Sequence, residues 1–456
     1  SACQRLYLFL MGLSLSESLL SLVSIPTNYL RQPPRSPHVP TVAGIVVNYF
    51  KFKKLEAYSR KNKRDRVRGN LLKELYHNKT PLYGKLSGIS LSVVLAASIL
   101  SAASLASPAS PAEAFTGNCA YIAVKNFKGA VFEDPILAKR ERATPGTVQT
   151  AYVTETLSYF KLHGFNTVRV AYFWESYVNN PSVFMQELDL IAKTAQAKGM
   201  CVVFANFHYY TSSYWGTQWN GWAYGRGFPS FVVKNFPVVN DDYKATAGPF
   251  WNAFLSNNIL ISGAKVWDVQ FGFLSKVINK VKGYNSTAGF EIINEPHLFN
   301  KAMYDKLGNY HTYMAKKMRS ITDKKIFFDR ETAWGFVRDP TLEYKIVPQG
   351  VSRLVYTAQL YAVPTIGSQG MQQLERFKTW SQQWGTEVFI CEWGADNQSE
   401  ATTFLKAFKG KNFGWTYYAW KKAANVNALG GALYDSDTTA PTQDLLDLKA
   451  AMNTVY

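Results

Sequence analysis

The most informative segment of this chain is Gly289-Phe-Glu-Ile-Ile-Asn-Glu-Pro-His297. Its first half is an apolar run typical of a strand buried in a parallel sheet. Pro296 cannot donate to a strand ladder, so the strand must end before it. The polar pair Asn294 and Glu295 therefore lies where the strand terminates.

A second segment, Val388-Phe-Ile-Cys-Glu-Trp-Gly394, follows the same design and carries Glu392 at the end of an apolar run. From residue 115 onward, short apolar runs alternate with longer amphipathic stretches, as in repeated βα units. The predicted strands are 127–132, 167–171, 201–206, 289–293, 325–329, 353–359, 388–391 and 414–418. The predicted helices are 150–163, 186–198, 265–281, 303–321, 372–383, 400–408 and 443–453.

Eight strands with intervening helices predict a (β/α)8 TIM barrel over residues 115–456, in the α/β class, preceded by a leader. In that fold, chemistry takes place at the face where the strands end. Polar and aromatic residues follow most of the predicted strands, so we expect them to gather on one rim.

These segments resemble glycoside hydrolase family 5, in the clan of barrel glycosidases that carry acids on strands four and seven. The resemblance extends over residues 120–425 and implies that Glu295 is the acid/base and Glu392 the nucleophile of a retaining glycosidase. Cleavage of a glycosidic bond needs one protonated carboxyl for the leaving oxygen and one carboxylate for the anomeric carbon. In the alternative, each Glu merely ends a strand or pairs with a cation.

The resemblance implies substrate-binding roles for five further residues. Arg169 would keep the nucleophile ionised, and Asn294 would contact the sugar 2-hydroxyl. His208 would bind a hydroxyl, Tyr361 would hold the nucleophile, and Trp420 would stack against the sugar ring. The alternatives are a structural ion pair, a turn-forming Asn, a structural His and two packed aromatic residues.

One position departs from the family pattern. Family members usually carry His-x-Tyr after strand six, whereas this chain reads Gln359-Leu360-Tyr361. Because an amide cannot titrate, Gln359 cannot act as a charged or proton-shuttling group. The departure bears on the substrate more than on the type of reaction.

The segment from Tyr209 to Trp251 is long and rich in aromatic residues. We interpret it as a rim of stacking sites along an extended β-1,4-glucan, which predicts an endoglucanase. In the alternative, some of these rings form a small core beneath the loop. A β-mannanase, a β-1,3-glucanase and a catalytically weak carbohydrate-binding barrel remain as other interpretations.

The net charge is +18, of which residues 1–114 contribute +10 and residues 115–456 contribute +8. The basic run at 51–68 lacks aromatic interleaving, so we favour a solvated stretch over a nucleic-acid contact. Residues 86–114 have the pattern of a signal peptide, with an Ala-x-Ala site whose cleavage would leave Phe115 as the first residue. Residues 1–85 are then a basic leader, interpreted as upstream sequence that is not expressed.

The alternative is a genuine long leader with the apolar run 89–105 kept as a membrane anchor. The preferred interpretation predicts a secreted monomer that acts on a polysaccharide, without nucleic acid and without stable membrane association after cleavage. We expect no cofactor, and the four scattered His residues of the predicted domain give a metal site little support.

Only Cys119, Cys201 and Cys391 occur after residue 115. An odd and sparse number predicts no disulfide framework, and no pair has a zinc-ligand spacing. Because Cys201 and Cys391 lie in apolar strands, both are predicted to be buried packing residues.

Overall fold

Eight parallel strands close into a barrel in the computed structural model of this chain. Each strand pairs with the next barrel strand along the sequence, and the last pairs with the first. The described residues are 117–134, 136–137, 147–208, 211–216, 226–239, 242–330, 339–360, 368–420 and 441–456. The closed barrel of eight parallel strands confirms the predicted (β/α)8 TIM barrel.

The barrel strands alternate with helices along the chain. The barrel strands are β1 Lys128–Glu133, β2 Thr167–Tyr172, β3 Cys201–Asn206, β6 Thr287–Glu291, β7 Lys325–Asp329, β8 Leu354–Leu360, β9 Glu387–Trp393 and β10 Gly414–Tyr417. Between them, β4 Leu260–Ile261 and β5 Ala264–Lys265 form a short antiparallel hairpin.

The described helices cover the outside of the barrel and part of its mouth. They are α1 Thr150–Leu162, α2 Trp174–Asn179, α3 Pro181–Ala197, α4 Ser213–Gly216, α5 Ser230–Val233, α6 Tyr243–Leu255, α7 Val266–Val281, α8 Met303–Arg319, α9 Ser368–Trp384, α10 Gln398–Lys411 and α11 Gln443–Val455. Between β7 and β8, where no helix is predicted, the described part of the chain contains a 3₁₀ helix at Pro340–Ile346.

The aromatic segment after β3 folds inward in its described part. Helix α6 is capped by Asp242, whose side chain accepts the N–H of Ala245. Its apolar face packs with the preceding loop into a buried cluster that includes Trp215, Phe228, Phe250, Trp251 and Phe254. The alternative of a small core beneath the loop therefore holds for these residues. Residues 209, 210, 217–225, 240 and 241 lie outside the described residues.

A short segment before β1 closes the end of the barrel opposite the strand carboxyl termini. Its two 3₁₀ turns, Cys119–Tyr121 and Val124–Asn126, bury Cys119 and Val124 against apolar residues from the barrel interior. The N–H of Val124 donates to Glu387 at the start of β9. We call residues 118–126 the plug.

A disulfide joins Cys119 in the plug to Cys201 at the start of β3. The prediction of no disulfide, with Cys201 as a packing residue, is therefore wrong. The sequence could not show the pairing because the two residues are 82 positions apart and meet only when the plug enters the barrel. Cys391 is buried and unpaired, as predicted.

The last residue of the chain lies at the same end as the plug. The Trp415 indole N–H donates to the Tyr456 hydroxyl at 3.2 Å, and the Lys128 ammonium lies 3.4 Å from the centre of the Tyr456 ring. Lys128 and Trp415 are at the beginnings of β1 and β10.

The chain divides into two units, Ser1–Ser107 and Pro108–Tyr456, and every described residue belongs to the second. The predictions about the leader and the signal peptide thus lie outside the described residues. Across the described ranges, no helix has the length and apolar character needed to cross a membrane.

Candidate active site

Arg169 in β2 connects the polar groups at the centre of the barrel mouth. Its side chain is fully buried and donates through Nη2 and Nε to Glu291 of β6. Nη2 also donates to Asn294 Oδ1, and Nη1 donates to Glu392 Oε1, both at 2.7 Å. One guanidinium thus joins the end of β6 to the end of β9. Burial alone would lower the pKa of Arg169, but the surrounding carboxylates, Glu291 foremost, raise it.

Glu392 reaches this guanidinium because β9 contains a bulge. Ala358 pairs with Ile390 and Gln359 pairs with Glu392, so Cys391 is an extra residue in the ladder. Cys391 packs inside the barrel, while Trp393 packs outward against Phe404 and Phe408. Bulges redirect side chains near active sites, and this one turns Glu392 toward Arg169.

Glu295 follows Asn294 at the mouth and is partly exposed. Its backbone is in the left-handed region, with φ of 44°. Two neighbouring strands hold this short loop, because the Asn294 N–H donates to the Asn206 carbonyl and the Glu295 N–H donates to Asp329 Oδ2, both at 2.8 Å. The structure thus places Asn294, Glu295 and Glu392 on the same rim.

His208 lies beside this loop, directly after β3. It is buried against Trp251, and both of its ring nitrogens lack a hydrogen-bond partner within the described residues. Burial lowers the pKa of His208 to about 3, and the smaller effect of the Asn294 and Glu295 backbone, which raises the pKa, does not offset it. Gly227 makes room for the ring, because a Cβ there would lie 2.5 Å from the His208 Cβ. His208 is therefore a neutral imidazole above about pH 4.

His297 ties the same loop to helix α6. Its Nδ1 shares a 2.8 Å hydrogen bond with the Tyr243 hydroxyl, which is 2.9 Å from Thr211 Oγ1. The Trp251 indole N–H also donates to Thr211 Oγ1. Burial lowers the pKa of His297 well below its usual range. The aromatic segment thus braces the loop that carries Glu295.

The structure does not place Trp420 at the mouth. Its ring is 1% exposed and packs outward, 4.5 Å from the Phe160 ring of helix α1. The alternative of a packed aromatic residue therefore holds for Trp420, in place of the predicted stacking against the sugar ring. Tyr417 also faces the outer layer and Tyr418 turns inward, whereas Trp420 lies beyond the end of β10 and packs outward again, out of step with the alternation of the strand. The remaining predicted residue, Tyr361, lies outside the described residues.

Four residues of the site were missed by the sequence reasoning. Glu291 and Asp329 are buried acids at the ends of β6 and β7. An acid at the end of an apolar strand is the same sequence signal that identifies Glu295, so it could have identified these two residues as well. Burial and the charge of Glu291 raise the pKa of Asp329. At the mouth, the inward-facing Tyr418 donates its hydroxyl to Glu133 at the end of β1. No simple sequence signal separates Tyr418 from Trp420.

No group of three or more acidic, His or Cys residues in the described ranges is arranged to hold a metal ion. The chemistry that the described site offers is that of carboxyl groups, one tied to a guanidinium and one on a braced loop.

The sequence profile described as Cellulase (glycosyl hydrolase family 5) matches residues 142–424, well over half of the chain. The chain belongs to glycosyl hydrolase family 5. The family resemblance seen in the strand-end motifs is thereby confirmed, and the chain is a glycoside hydrolase of this family. No curated protein matches the sequence closely enough to count as a relative.

Solved structures with the same fold have very different sequences. An endogalactoceramidase is 13% identical with a TM-score of 0.56, covering 72% of this chain and 80% of its own. Endo-glycoceramidase II from Rhodococcus sp., in a complex with a cellobiose-like isofagomine, is 14% identical with a TM-score of 0.54, covering 71% and 78%. An endoglucanase from Pseudomonas stutzeri is 18% identical with a TM-score of 0.45, covering 70% and 92%. At these identities the family 5 chain shares its fold with the first two structures, and nothing finer follows from them.

Proposed function

We propose that this family 5 hydrolase cleaves internal bonds of β-1,4-glucan with retention of configuration. The observation that carries the mechanism is the buried guanidinium of Arg169, which holds Glu392 and Asn294 on the rim where Glu295 follows. Retaining hydrolysis needs two carboxyl groups about 5 Å apart at one anomeric centre. We take Glu295, in the loop after β6, and Glu392, at the end of β9, as this pair.

In the first step, Glu392 attacks the anomeric carbon through the carboxylate oxygen not bonded to Arg169. The bond from that carbon to the leaving oxygen breaks, and Glu295 transfers its proton to the leaving oxygen. In the second step, Glu295 takes a proton from water, the water oxygen attacks the same carbon, and Glu392 is released. Arg169 orients Glu392 for the attack through the 2.7 Å hydrogen bond from Nη1, and Asn294 meets the sugar 2-hydroxyl.

A pair of variants distinguishes the roles of the two carboxyl groups. Glu392→Ala should abolish turnover of every substrate. Glu295→Ala should lower kcat/KM on cellotetraose by about 10²-fold or more, yet preserve most of it on 2,4-dinitrophenyl β-cellobioside, whose leaving group needs no proton. Equal losses on the two substrates in Glu295→Ala would show that the acid is misassigned. Sugar binding without turnover by the unmodified protein would favour the non-catalytic barrel.

The substrate is tested by release of reducing sugar from soluble cellulose, barley β-glucan, mannan and laminarin. A glycosphingolipid such as lactosylceramide completes the panel. Preference for cellulose or barley glucan supports the proposal. Preference for mannan, laminarin or the glycolipid would support the proposed glycoside hydrolysis but show that the proposed substrate is wrong.

We also propose that the protein is secreted. The Cys119–Cys201 disulfide supports this, because stable disulfides belong to oxidising compartments. Cleavage after Ala114 would leave the Cys119 half of the bond close to the new first residue. Sequencing the amino terminus of protein recovered from the medium tests it, with Phe115 as the expected first residue.

A further inference from the structure

Glu295 has a backbone conformation that a glutamate does not adopt without support. Its φ of 44° lies in the left-handed region, which residues with a Cβ rarely occupy outside small polar turn positions. Such conformations persist at functional sites only where the surroundings determine them. Pro296 follows directly, so the loop has little freedom to relax in that direction.

The support comes from Asp329. Its side chain is fully buried at the end of β7, the strand next to β6, and Oδ2 accepts the Glu295 N–H at 2.8 Å. This hydrogen bond goes to the residue with the unusual φ, and the Asn206 carbonyl holds the residue before it. The orientation of the Glu295 side chain therefore depends on where Asp329 Oδ2 lies.

Gln359 in turn fixes that oxygen. Its Nε2 donates to Asp329 Oδ2 at 2.5 Å from the end of β8, on the other side of β7. An amide donates at every pH, so the contact does not depend on protonation of Gln359. The residue that departs from the family pattern is thereby explained, because it orients an acid instead of titrating.

We propose that Asp329, oriented by Gln359, is the positioning residue for Glu295 and sets the angle at which its carboxyl group meets the glycosidic oxygen. The proposal rests on the acid/base role given to Glu295 above. Asp329 touches neither the sugar nor the leaving oxygen, and it acts through the Glu295 backbone. A displacement of about 1 Å in a catalytic group can cost about 10²-fold in rate.

The test compares Asp329→Leu with Asp329→Asn on cellotetraose and 2,4-dinitrophenyl β-cellobioside. Leu has a similar size and no acceptor, whereas Asn keeps a carbonyl oxygen for the Glu295 N–H. We expect Asp329→Leu to lower kcat/KM on cellotetraose by about 10²-fold and on the aryl glycoside by less than about threefold. Asp329→Asn should recover most of the cellotetraose activity.

Asp134 provides a matched control. It is also a buried acid after a barrel strand, β1, and accepts backbone N–H groups, from Ile136 and Leu137. It belongs to a different loop, so Asp134→Leu should change both substrates by the same factor. In a Glu295→Ala background, Asp329→Leu should cause no further loss on cellotetraose, since the group that it positions is already absent.

Equal losses on both substrates in folded Asp329→Leu, checked by thermal melting, would overturn the proposal. If that variant does not fold, Gln359→Met removes only the orienting donor, and it should lower cellotetraose kcat/KM selectively. An equal effect of Gln359→Met on both substrates would also overturn it. If Glu295→Ala itself shows no leaving-group contrast, the proposed function fails. If Glu295→Ala shows the contrast and Asp329→Leu does not, only this inference fails.

Discussion

At the scale of single residues, the site depends on the planar fork of Arg169. The guanidinium donates to the side chains of Glu291, Asn294 and Glu392, and all three are buried. A lysine ammonium carries the same charge on a flexible stem and cannot reproduce that fork. Charge alone therefore does not account for the choice of arginine here.

Arg169→Lys should consequently lower kcat by about 10²-fold, the cost typical of losing an oriented donor from a preorganised site. Thermal melting should show a loss of stability as well, because buried acceptors on Glu291 and Asn294 are left without a donor. Steady-state kinetics on barley β-glucan measures the first effect. A Lys variant with unchanged kcat would show that Glu392 needs no oriented donor.

At the scale of elements, a pair of acids ties the end of β1 to helices α1 and α3. Asp134 follows β1, and Glu187 of α3 accepts the N–H of Gln149, which precedes α1. Burial raises the pKa of Asp134 to about 6 and that of Glu187 to about 8. The negative charge of Asp134 also disfavours ionisation of Glu187. The folded protein thus keeps protons here that the unfolded chain has lost.

The sign of the pH effect follows from these raised values. The stability that the pair contributes is complete below about pH 4 and is lost as the pH rises through 6 and 8. Glu187→Gln keeps an acceptor for the Gln149 N–H and has no titrating proton. The parent protein should lose about 4 kcal/mol of stability from Glu187 between pH 5 and pH 9, and the variant should not show that loss. Urea unfolding at both pH values measures this, and parallel pH profiles would contradict it.

The sequence predicted the barrel strands well, because strands buried on both faces are continuous apolar runs. The largest displacement is at β6, observed at Thr287–Glu291 instead of 289–293, since the pairing begins in a less apolar stretch. Helix α6 was missed although Ala247, Phe250, Trp251 and Phe254 have helical spacing. Aromatic density and the internal Pro249 obscured that pattern.

Some residues of the site could be predicted from the sequence and others could not. A motif at a strand end identifies which residues reach the rim, and Glu295 and Glu392 both lie there. It does not reveal contacts made across strands, such as the hydrogen bond from Glu295 to Asp329. It also cannot show which of two nearby aromatic residues faces inward after β10, where Tyr418 turns inward and Trp420, the predicted residue, packs outward.

At the scale of the whole molecule, the disulfide is the principal covalent constraint in the described structure. It links residues 82 positions apart and anchors the plug to the barrel wall. Cross-linking a loop of this length restricts the unfolded chain by about 4 kcal/mol in the entropic description. Its contribution should therefore appear in stability and not in turnover.

Cys119→Ala combined with Cys201→Ala should lower the free energy of unfolding by about 4 kcal/mol and leave kcat on barley β-glucan within about twofold. Urea unfolding and steady-state kinetics at 25 °C measure the two quantities. Cys391→Ala is the matched control, because it removes a buried sulfur without removing a cross-link. A similar loss in the control would attribute the effect to packing.

The position of Tyr456 beside the beginnings of β1 and β10, at the same end as the plug, has a practical consequence. Both ends of the described barrel chain leave from the side opposite the substrate opening. Anchoring the protein to a bead or an electrode through Tyr456 would present the opening to the surrounding liquid. A partner protein fused at Tyr456 would likewise stand clear of the opening.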